Sequence, residues 1–154
     1  MIMGRKIKRI VIHTTATPQS WEVSDLLDYF HKEKGWEHPG YHIVVERDGR
    51  RRDLLPPELV ANGAKGYNRT SLHIAYLGGL DDNNKAADTR TDDQKATLAE
   101  VVKNFNHILR PVGIVGHRDL SPDVDGSGEV EPDEWIKICP CFEVSEWWLK
   151  TLKL

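Results

Sequence analysis

The apolar positions of this chain follow two different periods, and each change of period marks an element. Ile10-Val11-Ile12 is a short continuous apolar run within residues 8–14, which predicts a buried strand. Residues 24–34 follow the helical period instead. Leu26, Leu27 and Phe30 form the apolar stripe, Ser24 is the expected cap and Gly35 the stop. Residues 42–46 and 51–55 read as two strands of a hairpin around Asp48-Gly49, and Pro56-Pro57 then breaks the sheet. Residues 71–77 form another apolar strand, closed by Gly78-Gly79 and followed by a polar loop over 81–90.

The longest helical pattern opens at Thr91. Thr91-Asp92-Asp93-Gln94 is a capping box, and Leu98, Val101, Val102, Phe105 and Leu109 recur on one face. Pro111 follows its end, residues 112–116 make a last strand, and residues 144–152 a Trp-rich closing helix. Strands alternating with helices predict an α/β fold, a single domain over 1–154 with a mixed central β-sheet flanked by helices. No internal repeat or interdomain linker interrupts the pattern.

Composition narrows the function classes. A chain of 154 residues suits one domain with a real core. The net charge of -3 leaves no basic footprint for nucleic acid. No apolar stretch reaches the roughly 20 residues of a membrane span. The basic start, Arg5 to Arg9, resembles the head of a signal peptide, but the apolar run after it stops at His13. Synthesis in the cytoplasm without a signal peptide is expected. The two cysteines, Cys139 and Cys141, lie too close to staple a fold.

Candidate chemistry lies in a widely split set. His13 ends one apolar run, His117 ends another, and Cys139 sits in a Pro-flanked loop. Two imidazoles and a thiolate can hold a zinc ion and leave its fourth position open, the arrangement of catalytic rather than structural zinc. An open zinc makes a small domain a candidate hydrolase. The same residues also allow a cysteine hydrolase, with Cys139 as nucleophile and His117 as base oriented by Asp119. His31, His38 and His107 stand in polar or helical contexts and read as solvated.

Six segments then carry a resemblance. They are Ile12-His13-Thr14-Thr15-Ala16-Thr17, Gly40-Tyr41-His42-Ile43, Ala64-Lys65-Gly66-Tyr67-Asn68, Leu77-Gly78-Gly79-Leu80-Asp81, Gly116-His117-Arg118-Asp119 and Lys137-Ile138-Cys139-Pro140. In this order and spacing the chain resembles the zinc amidases of the N-acetylmuramoyl-L-alanine amidase type 2 family, of the phage-lysozyme type and related to peptidoglycan recognition proteins. The resemblance implies that His13, His117 and Cys139 ligate zinc. It implies that Tyr41 and Lys137 face the attacking water and the scissile carbonyl. It implies cleavage of the amide between N-acetylmuramic acid and L-alanine of the stem peptide, with peptidoglycan or muropeptides as the partner and a monomer as the working form. Substrate contacts are expected around Asn62, Lys65 and Asn68.

The chain departs from the family pattern at two places. Gly63 stands where phage relatives carry a histidine, and His73 where a small residue usually follows the Ser-Leu or Ser-Ile pair. His73 has two readings, a pocket-facing substrate contact or a histidine satisfied within the sheet. Cys141 reads as a small buried residue and not a ligand.

An acidic insertion at 123–134 resembles a calcium loop. Asp123, Asp125, Ser127, Gly128, Val130 and Glu134 match its spacing, and Glu129 adds a further carboxylate. Pro122 leaves little room for an entering helix. Asp123, Asp125, Ser127, Glu129 and Glu134 are therefore candidate calcium ligands beside a solvated-loop alternative. A bound Ca2+ would order the segment that delivers Lys137 and Cys139.

The expected function is zinc-dependent peptidoglycan hydrolysis, as a phage or prophage lysin that reaches the wall after release, or as a wall-recycling enzyme. The competing classes are a noncatalytic peptidoglycan-binding module, the cysteine hydrolase, and a calcium-binding structural protein.

Overall fold

The computed structural model describes residues 4–153. A five-stranded sheet lies at its centre, in the order β3-β2-β4-β1-β5. The strands are β1 (Arg9–Thr14), β2 (Ile43–Val45), β3 (Arg51–Asp53), β4 (Ser71–Tyr76) and β5 (Gly113–Gly116). The helices are α1 (Val23–Asp28), α2 (Asp92–Leu109) and α3 (Val144–Leu152). β1 pairs in parallel with β4 and β5, β2 pairs in parallel with β4, and only the edge strand β3 runs antiparallel. The sheet is therefore mixed, as the alternation of strands and helices predicts.

The near-continuous apolar run of β1 follows from its central place, because a strand covered on both faces has no polar side. Ile10, Ile12, Leu72, Ile74 and Tyr76 turn to one face and meet Leu98, Val101, Val102, Phe105 and Leu109 of α2, with Phe142 and Val144 leading into α3. Val44, Ala75 and Leu77 turn to the other face and meet Val23, Leu26 and Phe30. His13 and His73 fall on this second face by the period of two, in register beside Ala75 and Val11 respectively.

The capping box of α2 forms as its spacing predicts. Gln94 N–H donates to Thr91 Oγ1 at 3.0 Å, and Thr91 N–H to Gln94 Oε1 at 2.9 Å. Gln94 also docks the helix on the sheet, because its Nε2 donates to Leu77 O at 2.9 Å and Val45 O at 3.2 Å. One amide side chain thus closes the helix start and the ends of two strands.

The first helix differs from the expectation over 24–34. It begins at Val23 after Glu22, whose N–H donates to Asp25 Oδ2, so Ser24 lies inside the first turn and is not the cap. Its α-helical part ends at Asp28 and continues as a π turn over Tyr29–Glu33, before Gly35 leaves at φ +65°. The buried stripe is Val23, Leu26 and Phe30, and Leu27, one step off that line, is exposed.

Candidate active site

Three chain segments bring the zinc candidates together. His13 is the next-to-last residue of β1. His117 opens a one-turn 3-10 segment, His117–Leu120, directly after β5. Cys139 arrives on the loop before α3, held by an Arg118 N–H bond to Cys139 O at 2.8 Å. Gly116 permits that approach, since a Cβ there would lie 2.8 Å from Pro140 Cδ. One ligand atom from each of His13, His117 and Cys139 falls within 4.8 Å of the others. Parallel β1 and β5 end side by side, which places both histidines at the C-terminal edge of the sheet.

The donor set fits a zinc ion. His13 is buried and its Nδ1 faces Cys139 Sγ at 3.7 Å. Thr14 N–H donates to Sγ at 3.2 Å, a contact that favours a thiolate. Burial, then the neighbouring His73, His117, His42 and Lys137, hold His13 well below the ordinary histidine range. Burial, then Lys137, lowers His117 to about 4. Both rings are thus neutral at physiological pH, with lone pairs free for a metal.

The same values weigh against the cysteine hydrolase. Burial pushes the Cys139 thiol up to about 12. Burial thus disfavours both charges of a Cys139–His117 ion pair. Asp119 does not orient His117 either. Its Oδ2 accepts the Gly116 N–H at 2.7 Å and so closes the 3-10 turn.

The buried His13 lies beside His117 and Cys139, which line a cleft of about 350 Å3. Thr15, Thr17, Trp21, Tyr29, Trp36 and Tyr41 wall it, and Lys137 and Asn62 stand on its rim. The Tyr41 ring centroid lies 5.0 Å from that of His13, and its hydroxyl donates to Thr14 O at 3.3 Å. Burial raises its phenol above the ordinary range, which keeps it a hydrogen-bond donor. Lys137 is exposed beside the cysteine, and its charge acts on His13, His117 and Cys139.

The four expected substrate contacts separate. Asn62 reaches the cleft, although its Nδ2 is tied to His38 O at 2.8 Å. Lys65 is exposed and lies outside the cleft lining. Asn68 and His73 lie behind the cleft, and His73 is fully buried with its Nδ1 2.8 Å from His13 Nε2. His73 is thus satisfied inside the sheet and does not face the pocket. Sequence reasoning missed the aromatic wall, Trp21, Tyr29 and Trp36. Its one signal was the density of aromatic residues around the first helix, which also fits an ordinary core.

The acidic insertion gathers carboxylates of Asp123, Asp125, Glu131 and Glu134. Glu129, expected among them, is exposed and outside the group, and Glu131 takes its place. The cause is local: the turn Pro132–Glu134 folds the chain back, and Glu134 Oε2 accepts the Glu131 N–H at 3.0 Å. Ser127 contributes a hydroxyl 2.6 Å from Glu131 Oε1. Asp123 accepts from Gly128 N–H and Glu134 Oε1 from Asp125 N–H, so the loop is closed by its own backbone. Only single 3-10 turns flank or enter it, where a calcium hand has helices. Calcium is without support here: the group is exposed to half-buried, and such acidic groups are common without an ion.

The comparisons with known proteins agree with this geometry. The family model described as N-acetylmuramoyl-L-alanine amidase matches residues 3–134. The endolysin of Enterobacteria phage T3 is 30% identical over 142 residues, covering 92% of this chain and 85% of that one. Among solved structures, the Ph2119 endolysin from the Thermus scotoductus MAT2119 bacteriophage superposes with a TM-score of 0.73 at 24% identity, over 98% of this chain and 88% of its own. Drosophila PGRP-LB superposes with a TM-score of 0.67 at 17% identity, over 92% and 79%. Two strand-end histidines at the edge of a mixed sheet, in a chain matched over most of its length, lead to one assignment: this protein belongs to the N-acetylmuramoyl-L-alanine amidase family.

Proposed function

We propose that the protein is a zinc-dependent peptidoglycan amidase that cleaves the bond between the lactyl group of N-acetylmuramic acid and L-alanine, in the manner of a phage endolysin. The observation that carries this reading is the convergence of His13, His117 and Cys139 donors within 4.8 Å, with His117 and Cys139 lining an open cleft. The endolysin relatives support the wall as the place of action. Among the described residues no helix is long and apolar enough to cross a membrane.

Amide hydrolysis at neutral pH needs a nucleophile and a sink for oxyanion charge. A zinc ion held by these residues would supply Lewis-acid polarisation and acidify water. The protein supplies the rest. His13 and His117 present neutral nitrogens, and Thr14 N–H steadies the Cys139 sulfur. Tyr41 keeps its proton and can donate to a developing oxyanion, and Lys137 adds a positive charge at the rim. The aromatic wall gives the sugar and peptide an apolar surface.

Purified sacculi digested with wild type and with Cys139→Ala test the reading. Mass spectrometry is expected to find new free L-alanine amino termini from the wild type alone. New sugar reducing ends instead would overturn it.

A further inference from the structure

The two departures from the family pattern, Gly63 and His73, meet behind the metal ligand. His13 has two ring nitrogens. Nδ1 faces Cys139, and Nε2 lies 2.8 Å from His73 Nδ1. On its far side, His73 Nε2 lies 2.9 Å from Asn68 Oδ1. That oxygen also accepts the Ala64 backbone N–H at 2.8 Å.

The direction of this chain is fixed at its outer end. A backbone N–H can only donate, so the Asn68 atom facing it is the carbonyl oxygen. An amide oxygen carries no hydrogen, so His73 Nε2 must donate to it. A neutral His73 then has a bare Nδ1, which can only accept, and His13 Nε2 must carry the hydrogen. His13 Nδ1 is left bare, and it is the nitrogen that faces Cys139. Metal-ligating histidines are commonly oriented by a partner on their other nitrogen.

Gly63 makes room for this arrangement. A Cβ built there would lie 2.4 Å from His73 Nδ1 and 2.6 Å from its Cγ. The side-chain direction of residue 63 therefore points into the volume that the His73 ring occupies. A side chain at residue 63 and the His73 ring are therefore mutually exclusive.

We propose that His73 and Asn68 are positioning residues that fix His13 as its Nε2–H tautomer with Nδ1 toward the metal, and that Gly63 is the space that admits the His73 ring. This rests on the reading of His13 as a zinc ligand. It assigns His73 to orientation of the site and not to substrate.

The tautomer is read in the metal-free protein by long-range 1H–15N correlation of the histidine rings, and zinc affinity by chelator competition. Wild type is expected to show the Nε2–H form of His13. His73→Val is expected to lose that preference and bind zinc about 10–100-fold more weakly, with its far-UV spectrum retained. Asn68→Ala, which leaves the sheet untouched, should shift both readouts the same way by less. Gly63→His combined with His73→Gly should recover zinc affinity relative to His73→Gly alone. An Nδ1–H tautomer in wild type, or unchanged zinc affinity in both His73→Val and Asn68→Ala, would overturn the relay. Absence of zinc binding by wild type would instead sink the zinc reading, and the tautomer measurement would still decide the relay.

Discussion

The state of the Cys139 thiol separates a metal ligand from a nucleophile, and its alkylation rate measures it. Burial raises the thiol from 9.0 to about 12 in the metal-free protein. At pH 8 an ordinary thiol at 9.0 is about one tenth ionised, and a thiol at 12 only about 10⁻⁴, a thousandfold less thiolate. A more basic thiolate is also a better nucleophile. With a Brønsted slope of about 0.45 the difference returns roughly twentyfold, so the net rate falls about fiftyfold. The assay is iodoacetamide labelling of metal-free protein in a Cys141→Ser background, followed by mass spectrometry from pH 7 to 10. The rate at Cys139 is expected to lie about fiftyfold below a model thiol at pH 8. It should still climb close to tenfold per pH unit at pH 10. A rate that levels off near or below neutral pH would refute the reasoning, because it would mean a thiolate poised for attack.

Three further outcomes follow from the same structure. Burial lowers His42 to about 4, and folding therefore favours its neutral form; the contribution is complete above 6.5 and declines toward pH 4, by about 2 kcal/mol at pH 5. Urea unfolding of metal-free protein at pH 7 and pH 5 should show wild type losing about 2 kcal/mol more than His42→Asn, and parallel losses would remove His42 from the acid response. Gln94→Leu should cost about 2–3 kcal/mol in the same assay, since it leaves the Thr91 N–H and Leu77 carbonyl without their partner; a change under about 0.5 kcal/mol would show that water replaces it. Tyr41→Phe should lower kcat on sacculi about 10²–10³-fold with little change in melting temperature, and wild-type kcat would exclude its hydroxyl from the transition state.

The sequence by itself marked most of the elements and proposed the ligand set. Continuous apolar runs marked the central strands, buried on both faces, and the period near 3.6 marked the buried face of α2. The capping box at Thr91 was legible because it spans three residues. His13, His117 and Cys139 were legible as a set because their flanking segments matched a known order. What the tertiary structure decided lies between residues far apart in the chain. The π turn after Asp28 is marked by no local propensity. Glu131 displaced Glu129 in the acidic loop because a 3-10 turn reversed the backbone. His73 and Gly63 looked like two unrelated departures, and only the pairing of β1 with β4 put the His73 ring against His13, 60 positions away. A hydrogen bond's direction depends on every partner along its chain. The nitrogen that His13 offers a metal was therefore set by Asn68 and a backbone N–H at Ala64, and by nothing in its own neighbourhood of sequence.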